Sequence, residues 1–232
     1  MLSALAVSLL AGSVLAAPAD LQRRACAGIH VFGARETTVS PGYGSAGTVV
    51  NAILGAHSGA TAEAISYPAC GGQSSCGGVS YANSVSQGVS AVTTAVNNYA
   101  SQCPDAQIVL VGYSQGGQIF DDALCGGGDT AEGISSTASP LSSAALSQIK
   151  AAIFMGDPRH SPGEPFNVGT STAGGFDARP NGFTCGDQGS KIQSYCDAAD
   201  PYCSNGSDAS VHQGYGSEYG QQALTFVNSK LS

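Results

Sequence analysis

The sequence predicts an α/β protein, a three-layer αβα sandwich built on a parallel sheet, and three observations carry that expectation. Short β-type apolar runs alternate with longer segments of helical periodicity. The runs are apolar nearly throughout, as strands covered on both faces must be. The 232 residues are 42% hydrophobic, enough to cover one sheet with a core on each side.

Along the chain, 29–34 reads as the first strand and 45–57 as the first helix. A second strand at 62–67 leads through a glycine-rich loop at 70–79 to a long helix at 81–101. The β-branched run 108–113 is the third strand, and the helix at 115–123 follows it directly. After a second glycine-rich loop, 125–133, come a helix at 142–149 and a strand at 151–155. The long glycine-rich stretch 160–190 reads as loop, 192–196 as the fifth strand and 215–231 as the closing helix. Loops this long in a compact chain are expected to line a site.

No repeat and no Ser/Thr/Pro-rich linker divides the chain, so 25–232 is expected to be a single catalytic domain. Residues 1–16, MLSALAVSLLAGSVLA, have the length and small-residue end of a signal peptide, though no Lys or Arg precedes the apolar run. Residues 17–24 end in Arg23-Arg24 and read as a short propeptide. A secreted, extracellular protein is therefore expected.

Charged residues make up only 10% of the chain, with 8 Lys and Arg against 16 Asp and Glu. No basic footprint for nucleic acid exists, and no polybasic membrane anchor. Nothing in the pattern offers an extended apolar interface, so a monomer is expected.

Eight cysteines, at 26, 70, 76, 103, 125, 185, 196 and 203, all follow the leader, and an even count in a secreted chain implies disulfides. Spacing alone leaves their pairing open. Zinc is the rival use of cysteine, but CxxC, HExxH and HxH are absent and the four histidines are scattered, so no metal is expected.

The most informative stretch is Ile108-Val-Leu-Val-Gly112-Tyr113-Ser114-Gln115-Gly116-Gly117. With 32 glycines, a bare G-x-S-x-G carries little weight, but here it sits where a strand ends and a helix begins. Gly112 and Gly116 leave room for a strained turn that lifts Ser114 above the sheet at the positive end of the helix. A serine nucleophile needs a histidine base oriented by a carboxylate.

In such folds the acid and then the histidine follow the serine. His160 and His212 both lie after Ser114. His212, just before the closing helix, leads, and His160 reads as a loop residue. Asp157, Asp177, Asp187, Asp197, Asp200 and Asp208 all qualify as the acid by order. Asp200 leads because Cys196 and Cys203 bracket it; Asp197 is the closest rival, and Asp157 can equally be a turn carboxylate.

Taken together, Cys26…Gly33-Ala-Arg-Glu-Thr37-Thr, Tyr67-Pro-Ala-Cys-Gly-Gly-Gln-Ser-Ser-Cys76, Gly112-Tyr-Ser-Gln-Gly-Gly, Cys196…Cys203 and His212-Gln-Gly-Tyr-Gly resemble the fungal acetylxylan esterases of the cutinase-like superfamily. The resemblance spans essentially all of 26–232. It implies a small lidless α/β hydrolase with a five-stranded sheet and a triad of Ser114, Asp200 and His212. It also implies an oxyanion hole from the N–H of Gln115 and from Thr37, with Thr38 as the alternative donor. The pairings it implies are Cys26–Cys103, Cys70–Cys76, Cys125–Cys185 and Cys196–Cys203. Close relatives carry a further bridge where this chain has Ser171 and Ser204.

The implied chemistry is deacetylation of O-acetylated xylan through an acetyl-enzyme, with no cofactor. A cutinase or short-chain carboxylesterase uses the same residues, and a non-catalytic secreted recognition protein is the remote alternative. The polar run 204–211 beside His212 suits a hydrated polysaccharide better than a wax. Tyr113 and Tyr202 are candidate substrate contacts, though ordinary packing explains either. With no tryptophan, no large aromatic sugar platform is expected. Asn205-Gly-Ser207 is an N-glycosylation sequon near the same rim.

Overall fold

The structure is a computed structural model that describes residues 26–232. The expected signal peptide 1–16 and propeptide 17–24 lie outside the described residues. Six parallel strands form one sheet: β1 (Ile29–Ala34), β2 (Thr61–Ala64), β3 (Gln107–Tyr113), β4 (Ile149–Met155), β5 (Asn167–Val168) and β6 (Ile192–Tyr195), in the spatial order β2-β1-β3-β4-β6-β5. The helices are α1 (Gly47–Ala56), α2 (Tyr81–Gln102), α3 (Gln115–Cys125), α4 (Ser143–Gln148), α5 (Ala209–His212) and α6 (Tyr215–Lys230).

The α/β expectation holds, with one correction: the sheet has six strands, not five. The sixth, β5, pairs Asn167 with Ser194 and Val168 with Tyr195 inside the stretch read as loop. Two residues are too few to show a period. Strand β2 also stops at Ala64, short of Tyr67. The first helix opens with a single 3₁₀ turn at Gly44–Ala46.

Successive strand residues point to opposite layers. Phe32, Ile108, Leu110, Ala152 and Phe154 pack with α2, α3 and α4, while Val31, Val109, Val111, Ile153 and Met155 pack with α1 and α6. The α2 face repeats at helical spacing as Val85, Val89, Val92 and Val96, and the helix starts where the Ser80 side chain accepts the Asn83 N–H. Each of these buried aliphatics contributes about 1.5–3 kcal/mol, which is why the central strands carry almost no polar side chain.

Strand order reverses direction between β1 and β3, which lie side by side with Ala34 opposite Gly112. Ligands bind at such switch points, outside the carboxyl ends of the strands. Here those ends lead into the loop of Thr37 and the turn of Ser114.

Four disulfides close, two of them long-range, Cys26–Cys103 and Cys125–Cys185, and two within single loops, Cys70–Cys76 and Cys196–Cys203. A buried ionic cluster ties the 157–183 segment to α3. Arg159 meets Asp122, Asp129 and Asp177, and Arg179 meets Asp121 and Asp122, all within 3.1–3.6 Å. No helix among the described residues is long and apolar enough to cross a membrane.

Candidate active site

Ser114 sits on the sharp turn between β3 and α3 with φ 53° and ψ −122°, a conformation that L residues rarely adopt. The surrounding backbone enforces it. Ser114 N–H donates to Met155 O at 2.7 Å, and Gly117 N–H donates back to Ser114 O at 2.8 Å. A Cβ on Gly112 would run into the Gly116 backbone, and one on Gly116 would strike the carbonyl of Ala34. Both glycines are thus required for α3 to start so close to β1.

Asp200 lies on the loop closed by Cys196–Cys203 and is wholly buried. Its Oδ1 accepts the N–H groups of Tyr202 at 2.6 Å and Cys203 at 3.1 Å. Its Oδ2 meets His212 Nδ1 at 2.7 Å and accepts the Tyr215 hydroxyl at 2.7 Å. Burial alone would raise this carboxyl. The hydrogen bond and charge of His212, with the Tyr202 N–H and the Tyr215 hydroxyl, outweigh burial and hold it below the usual carboxylate range.

His212 ends the four-residue helix α5, started by Asp208, whose side chain accepts the Ser210 N–H. The Tyr113 hydroxyl donates to the His212 carbonyl at 2.5 Å, and the Tyr202 ring lies 4.5 Å from the imidazole. With Asp200 on Nδ1, the Nε2 side is left for the cavity. Ser114 and His212 line the same open cavity of about 770 Å³. Among the described residues Ser114 Oγ has no hydrogen-bond partner; such contacts in unliganded sites often tighten only with substrate.

The loop after β1 is built around Arg35 and Glu36. Arg35 donates to the carbonyls of Val39, Tyr67 and Pro68, while Glu36 accepts from the Ser45 N–H and hydroxyl. At Thr38, φ is 67°, its N–H donates to Ala69 O at 2.6 Å and its hydroxyl to Thr37 O at 2.6 Å. Both Thr38 donors are therefore spent. The N–H and hydroxyl of Thr37 and the N–H of Gln115 have no partner among the described residues, and Thr37 lines the cavity. The Gln115 side chain instead ties the 70–76 loop down through Cys70 O and the Ser84 hydroxyl.

The other sequence candidates lie elsewhere. Asp197 binds the Thr170 N–H and hydroxyl and the Tyr219 hydroxyl. Asp157 is buried beside Gly117, accepts the Arg159 N–H, and is pushed well above the usual carboxylate range, chiefly by burial. Asp177 belongs to the ionic cluster, and Asp187 is exposed. His160 is buried, both ring nitrogens lack a hydrogen-bond partner, and burial lowers it to about 4.

Of the candidate substrate contacts, Tyr113 has its ring buried and its hydroxyl committed, whereas Tyr202 is 42% exposed at the cavity rim. Asn205 is exposed on the loop before α5. Ser171 donates to the Ser204 hydroxyl at 2.8 Å, so a hydroxyl pair stands where relatives are expected to carry a bridge.

Sequence reasoning missed Tyr215, Val39 and Phe176. Tyr215 stood in the run His212-Gln-Gly-Tyr-Gly and at the start of a helix, but nothing there assigned it a role. Val39 and Phe176 line the cavity together with Gln73 and Tyr81, and no motif marks Val39 or Phe176.

A family model described as Cutinase matches residues 25–231. Acetylxylan esterase of Hypocrea jecorina is 68% identical over 210 residues, 90% of this chain and 69% of that protein. Acetylxylan esterase 2 of Talaromyces purpureogenus is 63% identical over 228 residues, 97% of each, and Cutinase 11 of Verticillium dahliae is 65% identical over 225 residues, 97% of this chain and 76% of that one. Among solved structures, the catalytic core domain of acetyl xylan esterase from Trichoderma reesei matches with a TM-score of 0.88 and 68% identity, covering 89% of this chain and 100% of that one. The sheet, the strained serine turn and these matches agree: the chain belongs to the cutinase family.

Proposed function

We propose that this protein is a secreted serine esterase that removes acetyl groups from O-acetylated xylan. The observation that carries the reading is the buried Asp200–His212 pair, which opens onto the same cavity as the strained Ser114. The chain's likeness to proteins named acetylxylan esterase supports the substrate.

His212 takes the Ser114 proton as the oxygen attacks the acetyl carbonyl, and Asp200 holds the imidazole in the tautomer that presents Nε2. The oxyanion that develops is held by the N–H of Gln115 and by the N–H and hydroxyl of Thr37. The sugar hydroxyl leaves with the proton from His212. Water, activated by the same histidine, then releases acetate from the acetyl-enzyme. The steps need neither metal nor cofactor. The protein acts as a single-domain monomer, 25–232, after loss of 1–16 and 17–24, with a glycan on Asn205 near the rim.

A cutinase or short-chain carboxylesterase is the second reading, favoured by the similarity to Cutinase 11 and by exposed apolar side chains at the rim. The test is kcat/KM on 4-nitrophenyl acetate, butyrate and dodecanoate, with acetate release from acetylated xylan and Ser114→Ala as control. Steep loss beyond acetate, release from xylan, and a drop of about a thousandfold or more in Ser114→Ala are expected. Preference for the longer chains selects the second reading, and equal activity of the variant overturns both.

A further inference from the structure

Three large apolar side chains stand exposed among the described residues: Phe176 at 57%, Tyr202 at 42% and Val39 at 36%. All three line the one cavity that holds Ser114 and His212. Single exposed hydrophobics scattered over a surface mean little, but a cluster at the mouth of a site marks what the site binds.

Phe176 is anchored through its backbone and one ring edge. Its N–H donates to Tyr202 O at 3.0 Å, and its ring meets Tyr81 edge-on, with centroids 5.5 Å apart. The Tyr81 hydroxyl donates to Gln118 Oε1 at 2.6 Å, and Gln118 Nε2 donates to Asp177 Oδ2 at 2.6 Å. Asp177 is the next residue in the chain, so the circuit closes on the backbone that carries the ring. An aromatic face fixed in this way contributes contact area at little entropic cost.

The cavity, about 770 Å³, is far larger than an acetyl group requires, so it has room for part of the alcohol as well. The lining combines the apolar faces with the side-chain amides of Gln73 and Gln213. Apolar faces ringed by hydrogen-bonding groups match a pyranose, whose axial C–H groups meet the electron-rich face of an aromatic ring while its hydroxyls take the polar contacts.

We propose that Phe176, flanked by Val39 and Tyr202, is the docking face for a sugar ring of the polysaccharide on the leaving-group side of the scissile ester. This rests on the xylan reading above.

The test compares wild type, Phe176→Ala, Phe176→Leu and Phe176→Tyr on acetylated xylan and on ethyl acetate, whose leaving group is neither a sugar nor aromatic. Phe176→Ala and Phe176→Leu are expected to lower the ratio of kcat/KM on xylan to kcat/KM on ethyl acetate by about three- to tenfold, mainly through KM. Phe176→Tyr is expected to restore the ratio. An unchanged ratio in the Ala and Leu variants overturns the proposal, as does a shift in acyl-chain preference in its place, which would put Phe176 on the acyl side. Wild type that hydrolyses ethyl acetate but releases no acetate from xylan overturns the xylan reading itself, and the platform with it.

Discussion

The Tyr215 hydroxyl donates to Asp200 Oδ2 at 2.7 Å, the same oxygen that meets His212 Nδ1. The hydroxyl also accepts the Asp197 N–H at 3.0 Å, so one phenol joins the acid loop to the start of α6. A carboxylate gripped on both oxygens holds one orientation, and the imidazole inherits it.

Removing that hydroxyl leaves Asp200 with one fewer donor and the buried Asp197 N–H without an acceptor. Tyr215→Phe is expected to lower kcat on 4-nitrophenyl acetate about three- to tenfold with little change in KM. Stability should fall by about 1–3 kcal/mol in urea melts. Wild-type kcat in a destabilised variant would restrict Tyr215 to a structural role.

The two threonines after β1 separate cleanly because the Thr38 donors are already used. Thr37→Val removes the hydroxyl of a cavity-lining residue while leaving its N–H, and kcat should fall about ten- to hundredfold, with Thr37→Ser near wild type. Thr38→Ala is expected to cost much less. The reverse order in steady-state kinetics would move the second oxyanion donor to Thr38.

Burial, and then the hydrogen bond and charge of neighbouring Asp129, push Asp177 up to about 7, against Arg159, which pulls it down; Glu132 adds a further rise. A raised carboxyl keeps its proton in the folded chain after the unfolded chain has lost it. Its contribution to stability therefore declines as pH rises from about 4 through 7. His30 and His160, lowered by burial to about 4, act in the opposite sense and lose stability as pH falls below about 6.5. Asp177→Asn isolates the carboxyl: relative to wild type, its Tm should improve steadily between pH 5 and pH 8. A difference independent of pH would show that Asp177 is ionised throughout.

How much of this was legible in the sequence follows from the range of each interaction. The turn at Ser114 is local, written in a β-branched run and two glycines within ten residues. Asp200 stood out because two cysteines bracket it, and His212 because of its place before the last helix. The two-residue β5 has no such local mark, and neither does the bond between Tyr215 and Asp200, which depends on how α6 docks. The ionic cluster was hidden by composition: a chain with 10% charged residues reads as having its charges on the surface, yet two arginines and four aspartates meet inside. Of the apolar rim, Tyr202 was legible beside Cys203, whereas Val39 and Phe176 escaped because they lie in segments that only the fold brings together.

The four disulfides divide into two kinds. Cys26–Cys103 and Cys125–Cys185 span 77 and 60 residues, whereas Cys70–Cys76 and Cys196–Cys203 span 6 and 7. By loop-closure entropy the long pair are worth about 4–5 kcal/mol each and the short pair only about 2. The short pair, though, clasp the two segments beside the cavity: the loop tied down by Gln115 and the loop that carries Asp200. The molecule is thus stapled twice, once for its scaffold and once for its chemistry. Reduction of the two small clasps alone is expected to lower kcat while the far-UV circular dichroism of the sheet persists.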